Sequence, residues 1–152
     1  MIAKKENEYF VLYNEENSII GKIRFQNKEE IEITVNEENI TYQVIKNNWN
    51  FEVRNQNELV CNLKMNSFWG DINVIELNKR IKGVFSMKWG TQMVDENNKT
   101  LLKIKNENLL IDKGIYEIEI SDNQITDFEI LLSLFGHLYG SNMKLLTVVV
   151  NS

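Results

Sequence analysis

The chain has 152 residues, 43% of them hydrophobic and 26% charged, with a formal net charge of −5. That is enough for one domain with a core of its own, and the acidic balance argues against a nucleic-acid binder. A single cysteine, Cys61, excludes an internal disulfide and with it the disulfide-rich secreted class.

The acidity is uneven. Residues 1–76 carry 13 acidic and 8 basic side chains, whereas residues 77–152 carry 9 of each. The opening segment has lysines but no apolar run of signal-peptide length, so a cytoplasmic chain is expected. Most of the sequence then reads as short apolar-alternating runs punctuated by Asn- and Glu-rich turns, which predicts strands. In chain order these are Glu8–Tyr13, Ser18–Phe25, Glu30–Val35, Ile40–Lys46, Trp49–Arg54, Glu58–Met65, Asp71–Leu77, Arg80–Trp89, Thr91–Val94, Lys99–Lys105 and Ile115–Ile120. Asn tolerates the left-handed backbone that the intervening turns need. No linker divides the chain, so residues 1–152 are expected to form a single domain.

A weak internal repeat runs through these hairpins. LYNEENSIIGKIR (12–24) aligns without gaps to MVDENNKTLLKIK (93–105), and EVRNQNELVCNLK (52–64) fits the same frame. Trp49 and Trp89 precede the second and third copies. The alternation predicts Leu59, Cys61, Leu63 and Met65 on one face with Val60, Asn62 and Lys64 on the other, and Ile19, Gly21, Ile23 and Phe25 opposed to Lys22 and Arg24.

The segment from Thr126 to Tyr139 is the one clearly helical stretch. Thr126 and Glu129 match the capping box, and Asp127 complements the positive end of a helix. Its apolar residues cover roughly 200° of the wheel, wider than the stripe of a surface helix. The remaining strip, Glu129, Ser133, Gly136, His137 and Gly140, holds no Lys or Arg and is mostly small. Such a helix, at about 127–139, is expected to be enclosed, with Gly140-Ser-Asn ending it and Leu145–Val150 forming a last strand. The apolar end is interrupted by His137, Ser141, Asn142 and Lys144, so no transmembrane span is expected. Many strands around one enclosed helix predict a closed antiparallel β-barrel of about twelve strands threaded by its own C-terminal helix.

The hairpins SIIGKIRF, ELVCNLKM and DENNKTLLKIK, the tryptophans Trp49 and Trp89, and the terminal DFEILLSLFGHLY together resemble the tubby C-terminal and LURP-one-related superfamily, which includes the phospholipid scramblases. The resemblance spans nearly the whole chain and rests on element order. It implies a barrel of about twelve strands around a central hydrophobic helix that opens on an acidic residue, here Asp127. It also implies no catalytic constellation and, in some members, binding of anionic lipid headgroups. No residues match the tubby phosphoinositide site, and the Pro-rich segment of scramblases has no counterpart in a chain without proline.

Enzyme signatures are otherwise sparse. His137 is the sole histidine, so no His-ligated metal cluster is expected, and no cofactor. A Cys61–His137 nucleophile pair is conceivable, but Cys61 falls on an apolar strand face, where a thiol acts as a small hydrophobe. Glu29, Glu30, Glu32, Glu117 and Glu119 are spaced as outward strand residues rather than as an acid–base pair. The positive signal is basic. Lys22, Arg24, Lys64, Lys103 and Lys105 hold matching outward positions of the hairpins, and Lys79, Arg80 and Lys82 cluster, with Lys88 following. The expectation is a non-enzymatic binding module for anionic phospholipid or phosphoinositide headgroups, or for a protein. The alternative is a lipocalin-like barrel with a small-molecule pocket.

Overall fold

A computed structural model describes residues 1–66, 70–84 and 90–151, with side chains described as far as residue 140. Twelve strands, β1 (Ile2–Glu6), β2 (Tyr9–Tyr13), β3 (Ile19–Phe25), β4 (Glu30–Val35), β5 (Ile40–Asn47), β6 (Asn50–Asn55), β7 (Glu58–Asn66), β8 (Asp71–Val74), β9 (Lys79–Lys82), β10 (Thr91–Val94), β11 (Thr100–Asn106) and β12 (Ile115–Ile120), precede one helix, α1 (Asp127–Asn151). Each strand pairs antiparallel with its neighbours in sequence, and β1 closes on β12 with Ile2 opposite Glu117. The result is a closed barrel without crossovers.

The turns follow from asparagine. Positive-φ backbone outside glycine occurs at Asn7, Asn17, Asn39, Asn48, Gln56, Asn57, Asn78 and Asn98. Asn reaches the left-handed region more easily than most residues because its short amide bonds locally. The first and third copies of the repeat are the same object. In both, the turn closes through Asn14 N–H to Ser18 O (2.9 Å) or Asp95 N–H to Lys99 O (3.0 Å). Both carry a register shift at the aligned step, Leu12/Tyr13 and Met93/Val94. The middle copy differs: its turn residues Gln56 and Asn57 both have positive φ, and its shift falls at Val53/Arg54.

Strand pleating sends alternate side chains inward. Leu12, Ile23, Ile33, Val44, Phe51, Leu63, Ile72, Ile81, Met93 and Leu102 are fully buried in the lumen. A barrel of this size leaves a hollow too wide for wall side chains alone to fill, and α1 occupies it. Every residue from Glu129 to Gly140 is buried. Phe135 meets Phe51 edge-on at 5.3 Å between centroids, and Tyr139 meets the same ring at 5.1 Å. Each fully enclosed Leu or Phe of this kind contributes about 1.5–3 kcal/mol.

The small strip sits against a close wall. A Cβ on Gly136 would lie 3.1 Å from Ile81 Cγ2, and one on Gly140 would lie 1.8 Å from Val84 O. Across the lumen, a Cβ on Gly21 of β3 would meet Thr34 O at 2.3 Å and Leu131 Cδ1 at 2.6 Å.

Several boundaries differ from the sequence reading. The helix does not end at Gly140, and Leu145–Val150 is helical rather than a strand. Gly140 is there for the close approach to Val84 and not as a left-handed cap; the glycines with positive φ are Gly70, Gly83, Gly90 and Gly114. The twelfth strand is instead β1, which the sequence hides because only Ala3 of its five residues is buried. The predicted Asp71–Leu77 strand stops at Val74 and becomes a 3₁₀ turn over Ile75–Leu77. The strand expected over Arg80–Trp89 ends at Lys82, before Gly83 with φ +75°. Lys88 and Trp89 lie outside the described residues.

Candidate functional site

Two polar regions share strands β9 to β11, one facing the lumen and one facing out.

The inner region is built on the strip of α1. Thr126 Oγ1 accepts from Glu129 N–H at 3.2 Å, and Thr126 N–H donates to Glu129 Oε1 at 3.1 Å, which is the reciprocal cap read from the sequence. The other carboxylate oxygen, Oε2, pairs with Lys79 Nζ. One turn on, Ser133 Oγ donates back to Glu129 O at 2.9 Å. A further turn on, His137 Nε2 lies 2.6 Å from Asn106 Oδ1 and Nδ1 lies 2.7 Å from Thr91 Oγ1. An amide oxygen only accepts, so Nε2 is the donor there, while the Thr91 hydroxyl serves Nδ1 in either role. Tyr116 stands edge-on to the imidazole at 5.4 Å and donates its hydroxyl to Asp112. Burial, and then the Asp112 charge, push the Tyr116 phenol up.

These groups satisfy one another, which is what buried polar groups do in a stable core. Cys61 is buried on β7, away from the β10 and β11 partners of His137. Its thiol is pushed up to about 12, by burial first and by Glu76 second. At neutral pH it is neutral, and a thiol rather than a thiolate is a poor nucleophile. Glu117 and Glu119 face outward on β12, Glu117 paired to Lys105 at 3.3 Å and Glu119 opposite Lys103. Among the described residues, no group of three or more His, Cys, Asp or Glu could hold a metal ion.

The outer region gathers part of the basic set. In register, Lys64 of β7 lies opposite Asn73 of β8, which lies opposite Arg80 of β9. One pleat along, Lys82 of β9 lies opposite Gln92 of β10, which lies opposite Lys103 of β11. The strand spacing puts the two members of each row roughly 10 Å apart with an amide between them. Among the described residues, Lys64, Lys82 and Lys103 form no ion pair. Arg80 Nη2 donates to Asn98 Oδ1 at 2.7 Å, while its buried Nε, 3.9 Å from Asp71 Oδ2, has no hydrogen-bond acceptor. Beside it is a shallow cavity of about 310 Å³ lined by Asn73, Asn78, Lys79, Asn98, Asp95 and Glu96.

The remaining basic residues do not join these rows. Lys79 is turned into the barrel mouth by the same pleat that turns Arg80 out. Lys105 is held by Glu117. Lys22 and Arg24 sit on β3, six strands from β9 and so diametrically opposite, where Lys22 Nζ lies 4.4 Å from the Tyr9 ring centre and Arg24 pairs with Glu8 at 3.3 Å. The bridging Asn73 and Gln92 were missed, because a neutral amide mid-strand carries no signal until its cross-strand partners are known.

The architecture is thus a closed twelve-strand antiparallel barrel built around its own C-terminal helix. Among solved structures it is similar to a protein from Arabidopsis thaliana known from its X-ray structure, at 14% identity, covering 93% of this chain and 90% of that one, with a TM-score of 0.63. At that identity the likeness establishes the fold alone. No protein-family model and no curated protein matches the chain. Among the described residues, no helix is long and apolar enough to cross a membrane.

Proposed function

We propose that this protein is a non-enzymatic binding module of the tubby and LURP-one-related type, acting in the cytoplasm, whose outer wall over β7–β11 docks onto anionic lipid headgroups. The observation that carries the reading is the double basic row, Lys64 with Arg80 and Lys82 with Lys103, on five consecutive strands of one side. Lys64 and Lys103 are exposed and Arg80 and Lys82 half-buried; cations roughly 10 Å apart can each meet a separate phosphate, and their attractions add without mutual crowding. Support for a non-enzymatic role comes from the buried, neutral Cys61 and from His137 held between Thr91 and Asn106. The lipocalin-like alternative is weakened because α1 fills the lumen where such a barrel keeps its ligand.

Liposome co-sedimentation tests the reading. Vesicles containing phosphatidylserine or phosphoinositide are expected to pull down the protein at low salt and release it at high salt, with neutral vesicles inactive. Combined Lys64→Ala, Lys82→Ala and Lys103→Ala changes should abolish the pull-down. Lys22→Ala with Arg24→Ala, on the opposite wall, should leave it intact. Equal loss from both sets, or no binding at either salt, overturns the proposal.

A further inference from the structure

Hairpin turns of an up-and-down barrel fall alternately at its two ends. The turns after β2, β4 and β10 lie where α1 enters the lumen, and they carry Glu15, Glu16, Glu37, Glu38, Asp95 and Glu96. The turns after β1, β3, β5 and β11 lie where α1 leaves it, and their chemistry is different. Among the described residues, the most exposed large apolar side chains are Leu110 at 94%, Trp49 at 70%, Leu109 at 66% and Ile111 at 62%, and all of them belong to this exit end. The next, Leu59, stands at 49%.

Local hydrogen bonds hold both tips out. Asn47 pairs with Asn50, so Asn48 and Trp49 form a two-residue turn, with Asn48 at φ +58°. In the β11–β12 loop, Asn108 Oδ1 accepts from Leu110 N–H at 2.9 Å and from Ile111 N–H at 3.2 Å, and Asp112 Oδ1 accepts from Gly114 N–H at 2.8 Å. Asp112 also accepts the hydroxyl of Tyr116, whose ring packs on His137, so the foot of the loop is anchored in the core. Three consecutive apolar residues are thereby fixed in solvent, and a contiguous exposed patch of this kind marks an interaction surface.

The positions of the tips around the rim point to the partner. Trp49 precedes β6 and the 109–111 tip follows β11, so the two flank the stretch β7–β11 that carries the basic rows. Lys64 lies on the half of β7 nearer this end, and Lys82 is the last residue of β9 before it. Lys113 follows the tip in sequence, and the Lys5 side chain packs against Gly114. Within the rim, α1 leaves the lumen and runs on to Asn151 through the apolar sequence LLTVVV. Two apolar tips set apart on one rim do not form the single patch of about 800 Å² per partner that a stable protein interface needs. A bilayer takes them separately, Trp at the headgroup level and Leu or Ile deeper. The acidic entry end then faces away from an anionic leaflet.

We propose that the exit end is a membrane-insertion face: the tip formed by Leu109, Leu110 and Ile111, with Trp49 across the rim, enters the interfacial layer of an anionic bilayer while the basic rows hold its headgroups. The proposal rests on the headgroup reading for its partner and adds which end of the barrel enters. A few apolar side chains anchor weakly and so does a basic patch; the two signals together give stable attachment.

A Leu110→Cys variant carrying nitrobenzoxadiazole reads the tip directly, because Cys61 is buried and protonated and stays unlabelled. On phosphatidylcholine–phosphatidylserine vesicles the tip label should brighten and shift to the blue. The same label on a Glu37→Cys variant, at the entry end, should not change. Combined Leu109→Ser, Leu110→Ser and Ile111→Ser changes should cut vesicle partitioning roughly tenfold or more. The melting temperature should stay unchanged, because these side chains already stand in water. Vesicles that pull down the protein while the tip label stays in water, or a triple-serine variant that partitions like its parent, overturn insertion and leave the headgroup reading standing. Insertion that survives the Lys64→Ala, Lys82→Ala and Lys103→Ala changes does the reverse. No pull-down at either salt removes both. Self-association that the triple-serine change abolishes also overturns insertion, since the tip then meets a second copy.

Discussion

Lys79 and Arg80 are neighbours in sequence with opposite surroundings. Lys79 points into the barrel mouth and pairs with the buried carboxylate of Glu129, whereas Arg80 points out and aligns with Asn73 and Lys64. The same contrast runs along β9 to β11: Thr91 and Asn106 face in to hold His137, and Lys82, Gln92 and Lys103 face out. A cation on a strand is therefore not informative by its charge. Its pleat decides whether it serves the fold or the surface.

The contrast can be broken hardest from the inside. Gly140→Val would place a Cβ 1.8 Å from Val84 O, so the helix or the β9–β10 connection must move. The expected loss is about 3 kcal/mol or more, read as a lower melting temperature or failure to fold. Next comes Glu129→Leu, which strands Lys79 in the mouth and removes the return arm of the helix cap. It should cost about 2–4 kcal/mol. Adding Lys79→Met should recover much of this, because a well-packed apolar pair can replace a buried ion pair; a double-mutant cycle by chemical denaturation measures the coupling. His137→Leu leaves Thr91 Oγ1 and Asn106 Oδ1 without their imidazole partner, at about 1–3 kcal/mol. On the outer wall the effect on stability nearly vanishes. Lys82→Ala and Lys103→Ala should each change it by no more than about 0.5 kcal/mol. A loss comparable to that of the inner substitutions would mean that the outer rows brace the sheet instead of presenting it.

Much of the architecture was legible because period-2 alternation and a wide apolar helix are strong, local signals. The capping box at Thr126 and Glu129 was read correctly from four residues. So were the inward placement of Cys61 and Leu63 and the small strip that lets α1 lie close to Ile81 and Val84, but Leu59 and Ile19, expected on the same inward faces, are exposed because the register shifts beside them break the alternation. The failures came where one physical need imitates another. A glycine required for close approach looks the same in sequence as one that ends a helix, so Gly140 reads as a terminus although the helix continues past it. Strand β1 carries one buried residue and no alternation to detect, although it closes the barrel. The basic set was found by composition, but its division into two rows and four bystanders depends on register, which no single strand encodes.

The helix that fills the lumen is made only after all twelve strands. The fully buried wall residues, from Leu12 on β2 to Leu102 on β11, lack the core that covers them until it arrives, and closure joins Ile2 to Glu117 across almost the whole sequence. Contacts of such long range form slowly, and open sheets with apolar inner faces are prone to pair with one another meanwhile. During synthesis, therefore, the nascent hairpins stay an unfinished ribbon on the ribosome. The acidic, Asn-rich turns and lysine-bearing outer faces, whatever else they bind, also keep that ribbon from sticking to its neighbours before the helix threads it shut.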